Sequence, residues 1–307
     1  MDAVGQAGAP GTLVQGAPSR APVRWMRWSQ RFTGAAFVAP TVLVLGLVVV
    51  FPVADALWLS VTRPQGRRQV FAGLANYARL LHDHDVWSAF SNSVSFTAGS
   101  VLGHLALGLA TALLLNQAIP FRQVFRVITL VPWMFAGVVV AMTWRWMLDP
   151  QLGIITAILA RLGLGQVLWF EHPYLALLAL VLANVWRGFP FASVALLAAL
   201  QSIPAEQYEA ASVDGASAVG QFRYVTWPNL RFTVVIVLAL DTIWTFKHFD
   251  LVQIMTAGGP AGATEVLTTL IYKVSFESLD FGYAAAIGVV MSLVLVAVTT
   301  VYVRKIL

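Results

Sequence analysis

The sequence predicts an all-α protein that crosses a membrane about six times. Of its 307 residues, 59% are hydrophobic and only 11% are charged, whereas a soluble domain is typically about 45–50% apolar and about 25% charged. The apolar residues gather in stretches long enough for the roughly 20-residue helix that a bilayer requires. This composition excludes a soluble single domain and an intrinsically disordered chain.

Six long stretches with few charges are the predicted spans. Some contain an isolated polar residue, such as His104 in the second stretch and Arg187 in the fourth. The first stretch is too long for the apolar part of a signal peptide and runs directly into bulky side chains, which indicates a retained anchor. The predicted spans are residues 34–54, 86–121, 127–144, 173–205, 232–264 and 281–303.

Charged residues indicate the orientation. More Lys and Arg flank the spans on the side of the N-terminus than on the other side, which predicts cytoplasmic N- and C-termini. Residues 1–30, rich in Gly, Ala, Pro and Arg, are predicted to form a disordered cytoplasmic tail, and residues 31–307 the transmembrane domain. The formal charge of +5 is dispersed along the chain, so we expect no nucleic-acid partner.

The loop between the fourth and fifth spans has its own helical signals. Pro204 suits the first turn of a helix, and Glu206 adds a negative charge where the helix dipole favours one. Gly215 permits a turn between two short helices, the second over residues 216–224, and Pro228 is expected to stop that helix before the fifth span. These features fit either an amphipathic connector on lipid headgroups or a docking element for a cytoplasmic partner.

The spacing within this loop resembles the EAA loop of bacterial ABC importer permeases. That motif spans residues 204–228 here, with apolar departures at Val225 and Trp227. Further likeness, at 214–217, 256–260 and 282–286, extends over about residues 30–306 and is typical of the F-type subunit of the maltose and glycerol-3-phosphate group. The resemblance assigns ATPase coupling to Glu209, Ala210, Ala211, Asp214, Gly215 and Pro228.

The resemblance implies a type I ABC importer permease fold in the bacterial inner membrane. It implies as partners a second, G-type permease subunit, two cytoplasmic ATPase subunits and an extracytoplasmic substrate-binding protein, either free or a lipoprotein. No G-x-x-x-x-G-K-[ST] motif occurs in the sequence. We therefore expect this chain to be a non-catalytic subunit without a bound cofactor, with ATP and Mg on the partner ATPase.

Two polar and aromatic stripes lie in the fourth and fifth spans at i, i+3, i+4, i+7, a spacing that places each stripe on one helix face. Aromatic faces and hydrogen-bonding groups are what a sugar pocket uses. The sugar-contacting positions of the similar maltose subunit fall on these stripes. The predicted substrate-binding residues are Asn184, Arg187, Gly188, Phe191, Asp241, Trp244, Thr245 and His248.

Three departures from the maltose subunit leave the substrate open. Phe191 stands where that subunit has Tyr, Arg187 replaces an aliphatic residue, and Asp241 replaces a small polar one. A di- or oligosaccharide is the first expectation, and glycerol-3-phosphate or a glycerophosphodiester is the alternative. Arg187 and Asp241 could instead pair only with each other. A second pair is predicted between Lys247 and Asp250.

Other classes of protein find little support. No H-E-x-x-H or G-x-S-x-G motif occurs, so no catalytic residues are predicted. Five scattered histidines and no cysteine predict no metal site. His104 is expected to form a hydrogen bond between helices. The remaining rival is a secondary transporter, which would be expected to show internal repeats and to need no EAA loop.

Overall fold

The computed structural model describes residues 37–66 and 68–306, which are mostly helical. The predicted tail, residues 1–30, lies outside the described residues. A small antiparallel hairpin of β1 (Thr62–Gln65) and β2 (Arg68–Phe71) follows the first helix. The helices are α1 (Phe37–Ser60), α2 (Ala75–His82), α3 (His84–Asn116), α4 (Arg122–Met134), α5 (Gly137–Met147), α6 (Ile154–Arg161), α7 (Pro173–Gln201), α8 (Ala205–Val213), α9 (Ala218–Phe246), α10 (Asp250–Met255), α11 (Leu267–Tyr272) and α12 (Phe281–Ile306).

Five helices of the described chain are long and apolar enough to cross a membrane. They are α1, α3, α7, α9 and α12, and α4 with α5 can form a sixth, broken span. The all-α class and the count of about six spans are therefore confirmed. Most predicted bounds lie within a few residues of the observed helix ends, and two spans differ from the prediction in kind.

The prediction that the third span is one helix over 127–144 is wrong. Helices α4 and α5 meet at an angle of 93°. Phe135 and Ala136 between them have extended backbone, with ψ of 139° and 142°. Pro132, in the last turn of α4, cannot donate a backbone hydrogen bond and hinders helix continuation. The break leaves a backbone carbonyl at Phe135 free for a side chain.

The predicted bounds of the fifth span, 232–264, begin and end too late. Helix α9 begins earlier, at Ala218, and ends at Phe246, and the chain then turns into the short helix α10. Gly258 has a φ of +83°, and Pro260 follows it. Neither residue suits a helix interior, because the first favours turns and the second lacks a backbone donor. Because α9 ends at Phe246, Lys247, His248 and Asp250 lie outside the long helix.

Helices α3 and α7 pack closely along a row of glycines. Cβ atoms added at Gly99 and Gly103 would meet the side chains of Val181 and Val185. One at Gly108 would lie 2.6 Å from Cβ of Ala192. The matched positions advance together along both helices, so α3 and α7 run parallel. Small residues at such a contact let two membrane helices approach closely, and this contact sets the position of the polar residues described below.

We expect Gly108→Ala to destabilise the protein. Besides the Ala192 contact, the new methyl group would lie 3.0 Å from the backbone nitrogen of Ser193, so the helices would have to separate. Overpacking of this kind typically costs about 1–3 kcal/mol. Gly288→Ala in α12 is the control, because its nearest neighbour is Cδ1 of Ile271 at 4.0 Å. Unfolding of the detergent-solubilised chain measures both. Equal stabilities of the two variants would contradict the close packing.

Candidate substrate site and coupling loop

A buried hydrogen-bond network joins three membrane helices at His104. The imidazole, on α3, is only 2% exposed. Its Nδ1 lies 2.7 Å from Oδ2 of Asp241 on α9, and its Nε2 lies 2.8 Å from the backbone oxygen of Asn184 on α7. The expected hydrogen bond of His104 between helices is confirmed, and it reaches two helices rather than one.

The protons of this network follow from the atoms involved. The carbonyl oxygen of Asn184 can only accept, so His104 must donate through Nε2. The contact between Nδ1 and Asp241 then holds one further proton. The pair is therefore either imidazolium with carboxylate or imidazole with carboxylic acid, and its net charge is zero in both cases. A neutral pair is far less costly inside a membrane than an isolated charge. The hydroxyl of Thr245 also donates to Asp241, over 3.3 Å.

Gly188 makes room for this imidazole. A Cβ atom at Gly188 would collide with Nε2 and Cε1 of His104. Gly188 was predicted to contact the substrate, but the space beside it is filled by the histidine ring. The alternative pairing of Arg187 with Asp241 is also wrong, since in the described chain Asp241 forms its only ion pair with His104. The reason is one of packing: His104 reaches across from α3 and takes the partner.

Arg187 points to the break between α4 and α5. Its Nε donates to the backbone oxygen of Phe135 over 3.4 Å, and its Nη1 donates to Nε2 of His248 over 3.3 Å. Because a guanidinium group can only donate, Nε2 of His248 must be the unprotonated ring nitrogen here. Arg187 thus connects the fourth span, the broken third span and the segment after α9.

An open cleft lies beside Arg187. Its volume is about 440 Å³ and it combines aromatic with charged side chains. The ring of Phe191 packs edge-on against Trp244 with centroids 4.9 Å apart, which holds the Trp244 indole at the cleft. Such a mixture suits a ligand with an apolar ring face and charged or hydroxyl groups. The lining residues are Trp133, Arg187, Trp244, Lys247, His248, Phe249 and Asp250.

The structure divides the eight predicted site residues into two groups. Those at or against the cleft are Arg187, Phe191, Trp244 and His248. Those that lie around His104 are Asn184, Gly188, Asp241 and Thr245.

Sequence reasoning missed Trp133 and Phe249 at the cleft and the link from His104 to Asp241. The sequence did contain a signal for the link from His104 to Asp241. Ser93, Thr97, Ser100 and His104 recur at helical spacing, and all are buried. This polar stripe predicts that α3 faces other helices rather than lipid. No comparable pattern marks Trp133, because its position depends on the break after α4.

The predicted pair of Lys247 with Asp250 is wrong for this structure. Within the described residues no oxygen of Asp250 lies within ion-pair distance of Lys247. The Asp250 carboxylate lies instead against the start of α5, where a Cβ at Gly137 would be 2.5 Å from Oδ2. The N-terminus of a helix attracts negative charge. The two residues were expected on one helix, but α9 ends before both of them.

The coupling loop folds as two helices with a glycine turn between them. Helix α8 carries Glu209, and the turn after it includes Gly215, whose φ of +77° lies in the left-handed region. Ser217 then caps α9, accepting from the amide of Gly220. The predicted elbow is confirmed as geometry. Glu209 and Gly215 are both exposed.

Pro228 was expected to stop a helix before the fifth span, and this prediction is wrong. The predicted short helix over 216–224 continues without a break into the span as α9. A π-helical turn over Phe222–Thr226 ends two residues before Pro228. Wider turns of this kind relieve the clash and the lost hydrogen bond that a proline causes in an α-helix. The loop therefore connects rigidly to the same helix that carries Asp241 and Trp244.

Comparison with known proteins identifies the class. Residues 104–306 match the family described as the binding-protein-dependent transport system inner membrane component, and the chain belongs to that family. It is thus a membrane-embedded transport subunit of the ABC permease type. Its fold is that of a permease from a bacterial ABC transporter involved in import of the acidic polysaccharide alginate, with a TM-score of 0.80 over 92% of this chain and 97% of that one, at 20% identity.

Two named relatives are similar over nearly their whole length. The trehalose/maltose transport system permease protein MalF of Thermococcus litoralis is 34% identical over 281 residues, which cover 91% of this chain and 95% of the relative. The sulfoquinovosyl glycerol transport system permease protein SmoG of Agrobacterium fabrum is 34% identical over 291 residues, with coverage of 92% and 93%.

A double-mutant cycle tests the His104 network. We expect His104→Leu to destabilise the chain by about 3–5 kcal/mol, because it leaves Asp241 buried without its partner. His104→Leu with Asp241→Leu should recover much of that loss, since no unpaired polar group remains. His84→Leu, at a 95% exposed side chain, is the control and should change little. Additive effects of the two core mutations, measured by unfolding in detergent, would contradict the pairing.

Proposed function

We propose that this chain is a permease subunit of an ATP-driven importer that takes up a saccharide delivered by an extracytoplasmic binding protein. The observation that carries the proposal is the exposed coupling loop. Its second helix is the start of α9, and the same helix carries Trp244 at the cleft. Membership of a binding-protein-dependent transport family supports the class. The saccharides in the names of MalF and SmoG support the kind of substrate. A related alginate importer is known in complex with its periplasmic binding protein.

The proposed assembly contains this chain, a second permease of the G type and two ATPase subunits in the inner membrane, with both termini of this chain in the cytoplasm. The loop offers an ATPase an apolar surface, because Val213, Val219 and Tyr224 are 88%, 76% and 73% exposed. Exposed apolar side chains on a polar loop are typical of a docking site. Glu209 adds a negative charge to that surface.

The cleft favours a sugar with an acidic group. Trp244 and Phe191 supply aromatic faces for a sugar ring. Arg187 and Lys247 supply two positive charges against the single carboxylate of Asp250. We propose that Arg187, Phe191, Trp244 and His248 contact the substrate. Asn184, Gly188, Asp241 and Thr245 position them through His104. The two cations also keep a glycerol phosphate ester as the second candidate substrate.

Coupling is tested with the reconstituted importer. Uptake should require the ATPase subunits, and uptake without them would indicate a secondary transporter instead. Gly215→Val should abolish stimulated ATP hydrolysis and uptake while the complex still assembles. A branched side chain at positive φ costs on the order of 1–3 kcal/mol and would shift the elbow.

The matched control for this variant is Gly163→Val. Gly163 has a similar φ of +83° and open space around it, but it lies before α7, at the opposite end of that helix from the loop. Gly163→Val adds similar backbone strain away from the coupling loop. An importer with this variant should therefore retain uptake. Full activity of Gly215→Val, or an equal loss in both variants, would rule out a docking role for the elbow.

Charge selectivity tests the cleft. Arg187→Gln should lower uptake of acidic saccharides or glycerol phosphate by about tenfold or more, because a charge-assisted hydrogen bond is lost. Uptake of neutral disaccharides should hardly change. Arg145→Gln is the control, since Arg145 also donates to a backbone oxygen, that of Ile254, but is absent from the cleft lining. Equal loss for neutral and acidic substrates would count against direct recognition by Arg187.

A further inference from the structure

Two arginines at the start of α4 converge on one neutral side chain. Arg122 and Arg126 are one helical turn apart and therefore lie on the same face. Gln201, the last residue of α7, approaches both of them. With the amide oriented so that its oxygen faces the guanidinium groups, Oε1 accepts from Nη2 of Arg122 at 2.6 Å and from Nη2 of Arg126. Gln201 therefore satisfies one N–H of each arginine and neutralises neither charge.

Positive charge at this place is unbalanced. In the described part of the chain no carboxylate lies within ion-pair distance of either arginine. The Nε atoms of both side chains are buried and have no hydrogen-bond partner among the described residues. Like charges one turn apart repel each other, and both lie near the helix N-terminus, where the dipole disfavours positive charge. Together these features call for an anion.

An adjoining cavity is largely apolar away from Arg126 and Gln201. Its other polar side chains, Thr129 and Ser193, are already hydrogen-bonded within the protein. The cavity has a volume of about 260 Å³, with Arg126 and Gln201 at its polar end. The rest of its wall includes Leu115, Leu130 and Leu197. On α4 next to it, Val127 and Ile128 are 65% and 57% exposed, as expected of a helix that faces lipid. The cavity thus has one charged end, beside the last residue of α7, and a largely apolar body.

We propose that this pocket binds an anionic phospholipid. The phosphate lies between Arg122 and Arg126, whose planar guanidinium groups suit phosphate oxygens. An acyl chain follows the apolar wall. Basic pockets between membrane helices are a known way to bind anionic headgroups. Free phosphate shares the headgroup chemistry, but it would leave the apolar wall unused, so the cavity favours the lipid.

Native mass spectrometry of the full-length chain in detergent tests the proposal. Phosphatidylglycerol should be retained at least about tenfold better than phosphatidylcholine with the same acyl chains. The Arg122→Gln/Arg126→Gln variant should lose that preference. The matched control is Arg223→Gln/Arg231→Gln, which removes two charges from exposed residues on α9 at the same membrane face and should retain the preference. Equal loss in the control would show only diffuse attraction and would overturn the site.

Two further arms separate the sources of the anion. Excess inorganic phosphate should compete poorly with the lipid, and Val194→Ser, in the exposed part of the cavity wall, should weaken lipid retention. Complete displacement by phosphate would contradict a lipid site. Circular dichroism checks folding, and Arg126→Gln alone serves if the double variant does not fold. Exclusion of the lipid from the assembled importer would also overturn the proposal, because the arginines would then meet a partner subunit.

Discussion

The contact of His104 with Asp241 and with the carbonyl of Asn184 is the constraint on which the site depends. It joins α3, α7 and α9 at one level and leaves no net charge there. Successive residues of a helix are rotated by about 100° around its axis. In each stripe at i, i+3, i+4, i+7, the residues at i+3 and i+4 therefore lie at opposite edges. Gly188 and Thr245 occupy the edges nearest His104, and this rotation leaves Arg187 and Trp244 to face the cleft.

This arrangement also relates the cleft to the loop. Helix α9 runs without a break from the glycine elbow to Trp244, and a π turn absorbs Pro228 on the way. A movement of the exposed loop would therefore rotate or tilt the helix that carries Trp244 and leads directly into Lys247 and His248 of the cleft. His104 holds the same helix to α3 and α7. A machine that couples a partner to transport needs such a connection between its docking surface and its binding site.

Much of this architecture could be predicted from the sequence. Long apolar stretches mark the spans because burial in lipid requires them, and Gly215 marks the elbow because few other residues adopt its backbone angle. The break at Phe135 and Ala136 was not predicted. Pro132 is a local signal for a helix end, but the stretch around it is apolar and long enough for one span, which favoured a single helix. The stripes indicated site residues, but not which edge each one occupies. That depends on His104, whose partners lie 80 and 137 residues away along the chain.

A structure of the assembled importer with a transported saccharide bound tests this account most directly. The account predicts the sugar ring against Trp244 and Phe191, its acidic group within hydrogen-bond distance of Arg187, and His104 still bonded to Asp241 and to the Asn184 carbonyl. A saccharide bound directly to Asp241, with His104 turned away, would contradict it.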